Sequence, residues 1–491
     1  MQSVTIIGSG FSSLSAACYL AKEGNRVTVF EKNDQLGGRA RVLKHEGFTF
    51  DMGPSWYWMP DVFENFFSDF DKKPSDYYCL EKLSPAYKVF FDDFKDVEIP
   101  STFEDIIDVF EKEEKGSGEE LKSFMKDAAY NYKVAIEKIV NKPGFSPLEL
   151  ITPETILKVN QFFTNISSKI RKKFKSPKLI QILEFPVLFL GAKPQDTPLF
   201  YNFMNYADFV LGTWYPQGGM VKIVEAMVSL GRDLGVKYVT NADVSKIHTK
   251  GNVAIGVTVN NEFYPSDFVL SGADYAHTET LLEEKNRQYS KTYWEKKTFA
   301  PSSLLFYVGF DKKLKNVRHH NLFFDKSFDN HASEIYDNPK WPSDPLFYAS
   351  FPSVTDSSVA PSGKECAFFL IPLAPGLQYD ENLPNRYFQI IMKRLEEQTN
   401  QNLESHVLFK IPFCVEDFKN EYNSYKGNAY GMANTLSQTA FLRPGIKSKK
   451  VKRLFFTGQL TVPGPGVPPA LISGKIVSEQ ISKETLKIPV S

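Results

Sequence analysis

Cysteine is scarce in this 491-residue chain, and the four that occur (Cys18, Cys79, Cys366, Cys414) are far apart with no C-x-x-C pair. That spacing excludes a disulfide framework or a thiolate zinc site and makes a reducing, cytoplasmic setting the simpler expectation. A long hydrophobic run is also missing. No stretch approaches the ~18–20 uninterrupted apolar residues that span a bilayer. No basic segment with a small-residue cleavage site precedes the first strand, which argues against export. Net charge is lacking too, since 58 basic and 58 acidic residues cancel. No nucleic-acid partner is therefore expected. With neither H-E-x-x-H nor a Ser-His-Asp arrangement, no metal site is expected and no catalytic residue can be named.

Aromatic rings, by contrast, are abundant. Forty-two Phe and 23 Tyr help bring aromatics to 14%. They suit either an aromatic-rich interior or a wide apolar cavity or membrane-facing surface for an extended hydrocarbon. The length suits two or three interleaved domains.

The opening residues carry the most specific pattern. Val4-Thr5-Ile6-Ile7 reads as a buried parallel strand, Gly8-Ser9-Gly10-Phe11-Ser12-Ser13 as a turn into a helix over Leu14 to Glu23, and Arg26 to Phe30 as a second strand. Gly8 permits the tight turn, and Gly10 lets the backbone approach a pyrophosphate resting on the helix N-terminus. Ser13 stands where a third small residue allows close helix–strand packing. Glu31, 21 residues beyond Gly10, is spaced to accept hydrogen bonds from a ribose diol, with Lys32 beside it. Leu36-Gly37-Gly38-Arg39-Ala40 follows. Its glycines expose backbone N–H groups, and its Arg can neutralise a phosphate or stack on a flavin.

This combination resembles the glutathione-reductase-like FAD enzymes, in the branch of amine oxidases and carotenoid desaturases. The rest of the chain resembles the bacterial-type phytoene desaturases. The matching stretches are Gly47–Ser55, Gly212–Met220, Phe351–Asp356 with Ala360-Pro361, Asn428–Gly431 and Thr461–Pro468. The resemblance implies an α/β protein with a Rossmann-like FAD-binding domain built from segments 1–88, 214–274 and 446–491. An α+β substrate domain (275–445) and a mostly helical, membrane-contacting region (89–213) are inserted between them. It implies FAD as cofactor, with Gly53, Pro54 and Ser55 near the flavin ring and Val244 at the adenine. Gly458, Gln459, Gly466, Val467 and Pro468 would cover the ribityl chain and flavin, with a helix beginning near Ala470. The implied activity is desaturation of a bilayer-resident carotenoid, phytoene first, by hydride transfer to flavin N5. A quinone or oxygen would be the final electron acceptor. A 1-hydroxycarotenoid 3,4-desaturase or another carotene oxidoreductase such as an oxidase or ketolase, a flavin-dependent carotene isomerase, and a non-enzymatic prenyl-lipid carrier of the same fold are the alternatives.

Two features concern the membrane and the chemistry. Lys169, Arg171, Lys172, Lys173, Lys175 and Lys178 form a basic cluster followed by the largely apolar run Leu179–Leu190. That pairing predicts peripheral docking on the cell membrane. His319-His320 and Asp208 could move protons, but structural roles are the simpler expectation for all three.

Overall fold

The computed structural model describes residues 2–435 and 437–486. Strand β1 (Ser3–Ile7), helix α1 (Phe11–Lys22) and strand β2 (Arg26–Phe30) form the opening β-α-β unit. β1 pairs parallel with β2 on one side and with Phe268–Ser271 on the other. It is apolar and buried on both faces because helices cover both sides of such a sheet. The complete sheet is five-stranded and parallel, in the order Leu454–Phe456, Phe268–Ser271, β1, β2, Lys237–Val239. Segments from the start, middle and end of the chain thus build one layer. Helix Val467–Thr485 packs on α1 so closely that a Cβ at Gly474 would fall 2.5 Å from the carbonyl oxygen of Ser12. This helix starts three residues before Ala470, because Pro468 and Pro469 occupy its first turn, where no N–H is needed.

A second, seven-stranded sheet runs Val407–Phe413, Ser302–Phe310, Glu365–Leu373, Phe347–Ser350, His320–Phe323, Tyr87–Phe90, Val97–Ile99. All its pairings are antiparallel except that of His320–Phe323 with Tyr87–Phe90. The expected border at 88/89 therefore cuts a strand, and the region after it opens with sheet before turning helical. Its helices include Phe103–Glu113, Ser117–Val134 and a series of short ones up to Leu211, several with proline in the first turn.

The run Leu179–Leu190 corrects the membrane expectation. Leu179, Ile182, Leu183 and Val187 are fully buried in the main core, so this run offers no apolar face to a lipid; the side chain of Phe189 lies outside the described residues. Half of the basic cluster is also committed elsewhere. Arg171 makes a two-pronged pair with buried Glu184, Lys173 pairs with Glu120, and Lys178 lies 2.8 Å from Asp93. Exposed apolar side chains gather instead at Phe145, Leu148, Ile151, Ile156, Leu157, Val159 and Phe163, with Leu157 79% and Phe163 80% exposed. Among the described residues no helix is long and apolar enough to cross a membrane.

Candidate active site

Gly8 adopts φ +83°, which turns the chain from β1 towards α1, and donates its N–H to the carbonyl of Phe30 at the end of β2 at 2.8 Å. At Gly10 a Cβ would meet no atom within 4 Å. Open space therefore lies directly in front of the α1 N-terminus. Gly38 crosses this turn, and a Cβ on it would stand 3.2 Å from the Gly10 Cα. Ser13 points the other way, under Gly272, as close helix–strand packing requires.

The side chains around that space fit a dinucleotide. Buried Glu31 accepts from Ser9 N at 2.9 Å, Ser9 Oγ at 2.6 Å and Asn33 N at 3.0 Å. Lys32 Nζ donates to the Asn420 carbonyl at 2.6 Å. Arg39 lies over the Tyr422 ring at 5.1 Å, donates to Ser424 Oγ, and leaves its buried Nε without a partner. Among the described residues no carboxylate pairs with it, and burial lowers its pKa. A buried guanidinium with no carboxylate in direct ion-pair contact, Asp274 acting on it only from further off, is suited to a bound anion.

A single cavity of about 590 Å³ runs from this end into the protein. It is lined by Gly8, Gly10, Phe11, Ser12, Glu31, Lys32, Gly38, Arg39, Ala40, Gly53, Pro54, Ser55 and Val244, and by Gly458, Gln459, Gly466, Val467 and Pro468. Every expected site residue except Ser13 reaches it. Three groups of lining residues were not foreseen: Asp274 with His277, the segment Glu421-Tyr422-Asn423, and Ala242-Asp243. For Asp274 a signal existed, since it follows a buried strand and caps helix Tyr275–Thr280 by accepting from Ala276 N. Nothing local marks the other two.

Buried polar side chains tie the family-like stretches together. Asp51 accepts from Met220 N at 2.8 Å and Val221 N at 3.3 Å, joining Gly47–Ser55 to Gly212–Met220, and burial pushes its pKa up to about 7. Asp356 accepts from Gly218 N at 2.6 Å, which adds Phe351–Asp356 to the same assembly. Asn428 Oδ1 accepts from Gly431 N at 2.7 Å and Gln459 Nε2 at 3.4 Å, linking Asn428–Gly431 to the loop before the last helix.

Beyond Ser55 the cavity turns apolar, between Trp56, Trp58, Phe185, Leu322, Phe324 and Phe368. Its lining also includes Phe200, Phe203, Ile139 and exposed Lys142, the last close in sequence to the exposed apolar patch. Asp208 is not on the cavity wall. Its Oδ2 accepts from Tyr87 Oη at 2.8 Å, Oδ1 has no partner among the described residues, and burial pushes its pKa up to about 8. His319 and His320 are both buried, behind the wall.

The family described as flavin-containing amine oxidoreductase matches residues 11–482. A carotenoid 3,4-desaturase of Haloarcula japonica is 40% identical over 98% of both chains. A 4,4'-diapophytoene desaturase (4,4'-diaponeurosporene-forming) of Staphylococcus haemolyticus is 31% identical over 98% of this chain and 99% of its own. Among solved structures, putrescine oxidase bound to putrescine aligns with a TM-score of 0.63 at 13% identity, over 98% of this chain and 99% of that one. Cyclohexylamine oxidase from Brevibacterium oxydans IH-35A aligns at 0.61 and 12%, over 99% of each. Fold, site and relatives agree: the chain belongs to the flavin-containing amine oxidoreductases and, within them, to the carotenoid desaturase family of FAD-dependent enzymes.

Proposed function

We propose that the enzyme introduces a 3,4 double bond into a C40 carotenoid, with phytoene-to-lycopene desaturation as the competing substrate assignment. The observation that carries desaturation of a long hydrocarbon is the continuity of one cavity, from a glycine-built polar end to an aromatic apolar end. The 40% identity with a carotenoid 3,4-desaturase, against 31% with a diapophytoene desaturase, favours the 3,4 position.

When bound, FAD supplies the two-electron hydride acceptor. Glu31 would hold the ribose, the α1 N-terminus with Gly10 and Arg39 the pyrophosphate, and Val244 the adenine. Gly53–Ser55, Gly458, Gln459 and Gly466–Pro468 would surround the flavin. The aromatic walls align the polyene and exclude water, so binding fixes which carbon pair reacts.

The substrate would enter from a membrane on which the protein docks peripherally, on the cytoplasmic side, and a quinone or oxygen would reoxidise the cofactor. The exposed patch from Phe145 to Phe163 supports this, because its segment also supplies Ser146, Glu149, Leu150 and Phe162 to the cavity wall.

Incubation of the FAD-loaded enzyme with phytoene, lycopene and a 1-hydroxycarotenoid in separate liposomes tests the assignment by product mass and absorbance. Loss of two hydrogens with a red shift from the already conjugated substrates is expected. Conversion of phytoene to lycopene would replace the 3,4 assignment, and a shifted spectrum at unchanged mass would indicate isomerisation.

A further inference from the structure

Within the apolar half of the cavity stands one chain of hydrogen-bonded titratable groups. Tyr348 lines the cavity and its hydroxyl donates to Ser55 Oγ at 3.0 Å. Behind it, His320 Nδ1 lies 2.6 Å from Tyr348 Oη. Leu322 pairs with Tyr348 and His320 with Ser350, so the two rings are diagonal neighbours on one face of the sheet. The Trp56 indole covers the imidazole, with centroids 4.0 Å apart and planes 11° from parallel. His320 Nε2 is buried and meets no hydrogen-bond partner among the described residues. Were the ring there only for packing, an apolar side chain would fill the space without stranding a nitrogen.

We infer that Tyr348 and His320 form the proton-accepting relay of the desaturation, with Tyr348 Oη the atom that meets the substrate. This rests on the desaturase assignment above. Two C–H bonds on adjacent carbons break. One hydrogen leaves with its electron pair to the acceptor that FAD supplies. The other leaves as a proton, and its bonding pair becomes the second bond of the new C=C. The tyrosine hydroxyl turns from Ser55 Oγ to His320 Nδ1, the ring carrying its own hydrogen on Nε2. The substrate's proton passes to Tyr348 Oη as the tyrosine's hydrogen moves to Nδ1. Tyrosine ends neutral and the imidazole ends as imidazolium, its charge stabilised by the face of Trp56. Burial, with His319 alongside, lowers the pKa of His320 and keeps it neutral before turnover, so the imidazolium formed is short-lived. His319 is itself neutral, its pKa pushed down to about 3 by burial, and Asp51 and Tyr430 are the other titratable groups acting on Tyr348.

The test uses the FAD-loaded enzyme in liposomes with whichever of the three carotenoids the parent converts fastest. Tyr348→Phe keeps the ring and removes only the hydroxyl. It should lower kcat roughly 100- to 1,000-fold, the range of general acid–base catalysis, with KM within about twofold and flavin content unchanged. His320→Gln should do the same, and the double variant should be no slower than either, because both remove one relay. In the flavin-free chain, Tyr348→Phe should shift the ¹⁵N resonance of His320 Nδ1. Retention of most of the parent's kcat by Tyr348→Phe overturns the relay even if His320→Gln does not fold. Multiplying losses in the double variant overturn it as well. A parent that desaturates none of the three carotenoids would overturn the desaturase assignment, and the relay with it.

Discussion

The two ends of the cavity are built in opposite ways. At the nucleotide end the backbone does the work. Gly8, Gly10 and Gly38 shape the space, and Ser9, Glu31 and Asn33 satisfy one another beside it within a run of thirty residues. At the hydrocarbon end the side chains do the work. The wall is made of ordinary rings and aliphatic chains, Trp56, Phe185, Leu322, Tyr348 and Phe368, brought from five separate segments. A site of the first kind writes itself into local sequence, whereas the second kind depends on where distant strands happen to meet.

The sharpest break of this comparison is Gly10→Val. No atom lies within 4 Å of the added Cβ and the backbone is at φ −66°, so the flavin-free fold should keep its Tm. The side chain would nevertheless fill the pyrophosphate's space. Flavin binding should weaken by about 3 kcal/mol or more, roughly 100-fold, in an absorbance titration. Cys18→Ala, on the same helix but facing the core, should leave binding intact. A parent-like titration curve for Gly10→Val would contradict the polar-end assignment.

Of comparable size is a pH effect near the other end. Burial raises the pKa of Asp208 to about 8, above its unfolded value of about 3.9. The folded state then holds a proton that the unfolded state has released. The sign follows: stability is greatest below the unfolded pKa and declines as pH rises towards 8, by up to about 1.4 kcal/mol per pH unit. Asp208→Asn keeps an acceptor for Tyr87 and removes the titration. Thermal denaturation between pH 5 and 8 should show a flatter profile for the variant than for the parent.

Glu31→Gln is milder. One carboxylate oxygen becomes an amide, and a hydrogen bond to a charged group is worth about 1.5–3 kcal/mol. A loss of about 2 kcal/mol in FAD affinity is expected by calorimetry, and an unchanged affinity would remove Glu31 from the ribose site. The smallest effects concern the membrane. Leu157→Ser should weaken liposome binding by about 1.5 kcal/mol at any salt, since a large apolar side chain gains about that much on burial. Lys169→Gln and Lys172→Gln should each cost about 1 kcal/mol or less, and only at low salt. Arg171 is unsuitable for this series, because its loss would strand the buried charge of Glu184. Equal co-sedimentation of Leu157→Ser and the parent would discard the patch as a docking surface.

How far the chain could be understood in advance follows the same division. The fingerprint turn and Glu31 were readable because strand, turn and carboxylate lie within one supersecondary unit. Helix Val467–Thr485 was placed three residues late, since two adjacent prolines look like a break although a first turn tolerates them. The run Leu179–Leu190 was taken for a lipid-facing patch, and the core claimed it. Hydrophobicity says that a side chain avoids water, without saying whether protein or lipid will cover it.

By itself, the sequence determined the kind of cofactor site and the parallel layer that carries it, because glycine conformations and β-α-β spacing are local constraints. Only the tertiary structure decided the rest. It gave the strand Tyr87–Phe90 to the second sheet, closed Glu421-Tyr422-Asn423 over the nucleotide end, and set His320 behind Tyr348. Each is a contact between segments far apart in the chain. Such contacts are selected by how whole surfaces pack, and no single segment encodes that.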